Sequence, residues 1–148
     1  MHPVNISKKE KGQSLVELGV VLVVVLIVLA GVVDLGGIMF QVLAMRDAAQ
    51  EGAAYTSIYP TACNQTIARV RESLHNPDPN YVEVIVTVNG KSCESATAAD
   101  ACASKEVNVT VHQPNYALSM PLIGSIIGRQ TIDLTSNVSS TIIRPPCP

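Results

Sequence analysis

From Leu18 to Val33 no side chain is charged or strongly polar, and from Leu18 to Met45 the only charge is Asp34. A helix needs about 20 apolar residues to cross a bilayer, so the run is long enough to span. Its Val-rich first half would favour strand in water. In lipid a helix satisfies its own backbone groups, and that requirement outweighs the strand preference. Residues 13 to about 58 therefore read as one helix, on the order of 70 Å long at ~1.5 Å per residue, against a hydrocarbon core of ~30 Å. Only its first half fits in lipid. Glu17 and Asp34 then stand near the two ends of an apolar run, where a charge costs roughly 2.5–3.5 kcal/mol near the bilayer centre on insertion scales. Each acid calls for a reason.

The run is preceded by Lys8-Lys9-Glu10-Lys11-Gly12. Basic residues flank the cytoplasmic end of membrane helices, which places this end inside and the remainder of the chain outside. A secretory signal has an apolar core of about 7–15 residues and a small-x-small cleavage site after it. Here the core is longer, no Ala-x-Ala-like site follows, and the small residue comes first. Gly12, followed by four residues and then Glu17, resembles the processing site of type IV pilin-like proteins. That resemblance implies a prepilin peptidase cutting between Gly12 and Gln13 on the cytoplasmic side. The cut would create an α-amine at Gln13, about one helical turn from Glu17. Within one chain or between neighbours, that amine can neutralise the carboxylate and favour one axial register.

Three further segments carry a closer resemblance. Gly12-Gln13-Ser14-Leu15-Val16-Glu17, then Ala30-Gly31-Val32-Val33-Asp34-Leu35-Gly36, then Asp47-Ala48-Ala49-Gln50-Glu51-Gly52-Ala53-Ala54-Tyr55 together resemble the N-terminal pattern of TadE-like pilins and pseudopilins of tight-adherence pilus systems. The strand-like tail, Val107 to Val111 and on to Ile143, is similar in a more generic way. The pattern departs at Leu18 and Leu35, where an aromatic is common, and at Gly37, where a long polar side chain is common. Major pilin and minor pseudopilin both stay open.

The resemblance implies a pilin-like α+β fold, with a long, partly transmembrane N-terminal helix and a small antiparallel head containing one short helix. It implies self-association through that helix, with Glu17 and Asp34 as assembly residues, and an assembly platform in the inner membrane as partner. Before assembly the chain would sit in membrane lipid with its head outside; afterwards it would be part of an extracellular pilus.

The expected organisation is a leader over residues 1–12, the helix over 13–58 and an extracytoplasmic head over 59–148. A head of this size folds but builds no deep core, so it should lean on the helix or on cross-links. Cys63, Cys93, Cys102 and Cys147 all fall in the exported part, and an even number there suggests two disulfides with three possible connectivities. Cys93 and Cys102 bracket a loop between strand-like segments while Cys147 lies in the tail, which favours Cys93 with Cys102 and Cys63 with Cys147. No Cys-x-x-Cys or adjacent Cys/His pair supports zinc instead. Once the leader is removed, 7 basic and 11 acidic residues leave a net charge of −4, which offers no footprint for nucleic acid.

Within the helix, Ala44, Ala48 and Gly52 recur every four residues beside Ala49 and Ala53. Such a strip permits close approach of a helix or sheet, or simply favours helix. Gly31, Gly36 and Gly37 flank Asp34 and predict a bend or melted turn. Asp34 could mark the outer membrane surface or accept hydrogen bonds between packed helices. Pro60 ends the helix. Asn64 is the expected N-cap of a short helix with Ile67, Val70 and Leu74 on one face, broken by Asn76-Pro77-Asp78-Pro79-Asn80. Period-two alternation then predicts strands over Tyr81–Val88, Glu106–His112 and Thr131–Ile143, forming an antiparallel sheet on the upper helix. Leu118, Met120, Leu122, Ile123, Ile126 and Ile127 make the connection before the last strand too apolar for an exposed loop.

Little supports an enzyme. His2, His75 and His112 are scattered, and neither a Gly-x-Ser-x-Gly nucleophile motif nor a phosphate loop occurs. No cofactor is expected. Asn64-Gln65-Thr66, Asn108-Val109-Thr110 and Asn137-Val138-Ser139 match the glycosylation sequon. Two function classes remain: a filament subunit serving adhesion or surface colonisation, and a single-pass anchored binding domain that never polymerises. Gly12 together with Glu17 separates them, because an anchor needs neither.

Overall fold

The computed structural model describes residues 10–74, 81–119, 124 and 128–147. Helix α1 runs from Glu10 to Ile58 as 49 continuous residues. The helix passes unbroken through Gly31, Gly36 and Gly37, so the melted turn expected near Asp34 does not occur. It stops two residues before Pro60, which cannot supply a helical N–H. Helix α2, Cys63–Ser73, turns back against α1. Its N-cap is Ala62, with no side-chain cap. Asn64, the expected cap, lies inside the first turn instead. Val70 and Leu74 are buried and Ile67 is packed against the core, as the periodicity predicts. The Asn76–Asn80 breaker, His2, His75 and the leader up to Lys9 lie outside the described residues.

The head is a four-stranded antiparallel sheet, with β1 at Glu83–Val88, β2 at Lys91–Ser92, β3 at Glu106–Ala117 and β4 at Thr131–Thr141, in the order β2-β1-β3-β4. The α+β layout expected from the sequence is therefore present. Val107, Val109 and Val111 on β3 are fully buried, and Val86, Val88, Leu134 and Ile142 join them. This alternation follows from the pleat, which sends successive side chains to opposite faces. The element missing from the sequence reading is β2. Asn89 and Gly90 hold φ of 51° and 77°, the two left-handed residues of a tight hairpin turn, and reverse the chain so that Val88 pairs with Lys91.

α1 packs beneath β3 and β4, and α2 fills the space beside β1. The small-residue strip serves this packing: Ala48, Ala49 and Ala53 are at most 1% exposed. A Cβ on Gly52 would clash with Val70 Cγ2 and lie 3.4 Å from Val109 Cγ1. Glycine is thus what allows α1, α2 and β3 to meet at one level. Gly52→Val is expected to lower the denaturation midpoint of the detergent-solubilised chain, at an overpacking cost of roughly 1–3 kcal/mol. At Gly36, where nothing lies within 4 Å, alanine should instead gain up to about 1 kcal/mol of helix propensity. Equal effects at the two positions would refute this packing.

The cysteines pair as Cys63–Cys93 and Cys102–Cys147, and none is free. The expected pairing was Cys93 with Cys102 and Cys63 with Cys147, and the sheet register explains the correction. Glu106 on β3 pairs with Thr141 on β4, so the chain just before β3 and the chain just after β4 come together. Ala103 N donates to Pro145 O at 2.7 Å there, which brings Cys102 and Cys147 to one place. The β1–β2 hairpin delivers Cys93 to the start of α2, where its Sγ lies 3.6 Å from Pro60 O.

Candidate assembly surface

Three contacts set the register between α1 and the head. Gly52 faces Val109, Gly37 faces Tyr116, whose hydroxyl would lie 3.1 Å from an added Cβ, and Ser119 N donates to Asp34 Oδ1 at 3.2 Å. Numbers fall along α1 as they rise along β3, so β3 runs antiparallel to the helix, towards its apolar end. The head's last contact in this series is Asp34, which is only 7% exposed. Its carboxylate thus accepts a hydrogen bond from its own head, a role neither sequence expectation assigned it. Leu118 beside it is buried. Met120, Leu122, Ile123, Ile126 and Ile127 lie outside the described residues.

Below Asp34 the helix is bare. From Gly12 to Leu29 every residue is exposed, and the most apolar window of α1 has a mean hydropathy of 3.1 with none of it buried. Gln13 to Val33 measures roughly 30 Å at ~1.5 Å per residue, the thickness of a bilayer core. Among the described residues one helix is long and apolar enough to cross a membrane, and the described part of the head reaches down to where that length ends. Gly12 and Gln13 sit on exposed helix, with no neighbour around the glycine among the described residues. Glu17 is exposed and forms no ion pair among the described residues.

Apolar exposure does not end with that span. Leu35, Met39 and Phe40 are 66–70% exposed and Leu43 is 46% exposed. Asp34, Gln41, Met45 and Ala48, on the other side of the helix, are buried against the head. The outward stripe continues about 14 Å beyond Asp34 at ~1.5 Å per residue, then turns polar at Asp47 and Gln50. The sequence reading singled out the acids but missed this stripe, although the spacing of Leu35, Met39 and Leu43 displays it.

Elsewhere the polar groups hold the fold. Asp100 accepts from Lys91 Nζ at 2.8 Å, Thr97 Oγ1 at 2.7 Å, Thr97 N at 3.1 Å and Asn89 Nδ2 at 3.1 Å. The Lys91 ammonium, followed by the Thr97 and Asn89 donors, holds its carboxyl well below the usual carboxylate range. This cluster fastens the β1–β2 turn to the loop before β3. His112 Nδ1 meets Thr135 Oγ1 at 2.9 Å. Two sequons answer each other across β3 and β4, with Asn108 Nδ2 on Ser139 Oγ and Asn137 Nδ2 on Thr110 Oγ1, both at 3.3 Å. The third commits Thr66, fully buried, to Thr56 Oγ1 at 3.0 Å. A cavity of about 450 Å³ lined by Thr61–Gln65 and Glu94 offers Glu94 as its one ionisable group. Among the described residues no group of three or more His, Cys, Asp or Glu could hold a metal ion.

The family model of TadE-like proteins matches residues 12–54. The match begins at Gly12, takes in Glu17 and Asp34, and ends inside the buried strip, so this segment is similar to TadE-like proteins. No curated protein and no solved structure matches the chain.

Proposed function

We propose that this chain is a structural subunit, pilin or pseudopilin, of a tight-adherence or type IV-like pilus, serving adhesion or surface colonisation. A prepilin peptidase removes residues 1–12. The subunit then waits in the cytoplasmic membrane with its head outside, meets the assembly platform, and enters an extracellular filament through α1.

The observation that carries this reading is the apolar stripe Leu35, Met39, Phe40 and Leu43, exposed beyond the bilayer's reach and turned away from the head. Lipid covers Leu18 to Val33. A single-pass anchor has no use for further apolar surface in water, where such patches mark interaction sites. Parallel α1 helices of neighbouring subunits cover both regions at once. The buried Asp34 fits the same arrangement, because the head shields it at the level where lipid ends.

Met39→Glu combined with Leu43→Glu tests the proposal. Both positions lie above the predicted lipid layer, so membrane content and the two disulfides should match wild type. Sheared filaments, scored for this chain and for the major filament of the same cells, should fall at least about tenfold, since burying unpaired carboxylates between helices is strongly unfavourable. Unchanged filament yield would favour the anchored binding domain.

A further inference from the structure

We infer that the head's grip on α1 has two parts of different strength, and that the lower part is a polar seam that opens on its own. The upper part runs from Met45 to Thr56, where Met45, Ala48, Ala49 and Ala53 meet Val70 and Val109 at no more than 1% exposure. The lower part, from Asp34 to Gln41, packs the partly buried Ile38 against the core but buries polar side chains beside it. Gln41 on α1 and Gln113 on β3 are 6% and 7% exposed. Gln41 Nε2 and Gln113 Oε1 are nevertheless buried without a hydrogen-bond partner among the described residues. Because Gly52 faces Val109 and Gly37 faces Tyr116, the antiparallel register puts Gln41 and Gln113 at about the same level of the interface.

A buried donor or acceptor without a partner keeps its full desolvation penalty in the closed state and recovers hydration when exposed. Two such atoms at one level bias that level towards opening. The backbone opposite agrees: the β3–β4 register shifts between Gln113 and Tyr116, Asn115 has a φ of 56°, and its N–H bonds the side-chain carboxylate of Asp133 on β4 at 3.0 Å. Beyond this bulge, the end of β3 and Ser119 touch the helix through Tyr116 over Gly37 and through the Ser119–Asp34 hydrogen bond. Opening would free α1 below Met45 to change its angle to the head while the apolar clamp stays closed. This inference stands whether or not the chain polymerises.

Amide-resolved hydrogen exchange on the full chain in detergent micelles tests it, because the Ser119 N–H is protected by Asp34 on the far side of the seam. In wild type, the Ser119 amide should exchange at least about tenfold faster than those of Val109 and Val111, which open only with the core. Gln41→Leu with Gln113→Leu removes both unpaired atoms and should slow exchange at Ser119 by about tenfold or more, leaving Val109 unchanged. Equal protection of Ser119 and Val109 in wild type would overturn the inference, and that comparison needs no variant. Faster exchange at Ser119 in the double variant would also overturn it, since a water bridging the two amides would give that result.

Discussion

Replacing Cys63 and Cys93 together by alanine is expected to cost the head about 2–5 kcal/mol, a large share of the roughly 5–15 kcal/mol that holds a small domain. Both sulfurs lie in the core cluster with Val70, Val86 and Ala101, so the bond joins α2 to the β1–β2 hairpin through the interior. Its 30-residue separation is shorter than the 45 residues between Cys102 and Cys147. On a chain-entropy account the two constraints differ by only about 0.4 kcal/mol, because the term grows with the logarithm of loop length. What separates them is the native side: Cys147 is exposed in the tail, whereas Cys63 and Cys93 are buried. Loss of Cys63–Cys93 should therefore also loosen α2 packing, while loss of Cys102–Cys147 should free the tail after Ile142. Non-reducing peptide mapping of exported protein decides the premise. A peptide joining Cys93 to Cys102 would refute it.

The mispredicted pairing shows where local reading stops. Alternating valines in β1 and β3 can be read from the chain because the pleat is a local property, and the length of α1 can be read because lipid imposes it. Which cysteines meet depends on register between segments far apart in sequence. One local clue existed: Asn89-Gly90 between Val88 and Lys91 is a hairpin signal, and weighing it would have moved Cys93 away from Cys102. No comparable clue places Asp34 under Ser119, 85 residues away. Gly37 and Gly52 likewise look like helix-weakening residues until Tyr116 and Val70 are seen occupying the space a Cβ would need. The expectation of a melted turn weighed glycine propensity alone, whereas packing against β3 and β4 supports the helix from Asp34 upward.

Glu17→Gln is expected to leave insertion and head folding intact and to abolish assembly. Glu17 lies 17 residues from Asp34, near the far end of the bare helix, with no ion-pair partner among the described residues. Removing its charge makes the helix more compatible with lipid, so the membrane pool should stay level or rise. In the assembled state the proposed α-amine of Gln13 on an adjoining helix supplies a matching charge for the carboxylate. Breaking a buried pair by removing one partner costs about 3–5 kcal/mol, because the other charge is left buried and uncompensated. That corresponds to more than about a hundredfold loss of subunit incorporation, since each 1.4 kcal/mol is tenfold. Glu17→Asp keeps the charge on a shorter stem and should recover part of the yield. Quantifying the membrane fraction and the sheared filaments side by side separates the two proposed functions. An intact membrane pool with no filaments identifies the carboxylate as an assembly group, whereas equal filament yields from wild type and Glu17→Gln would leave it without a role in assembly.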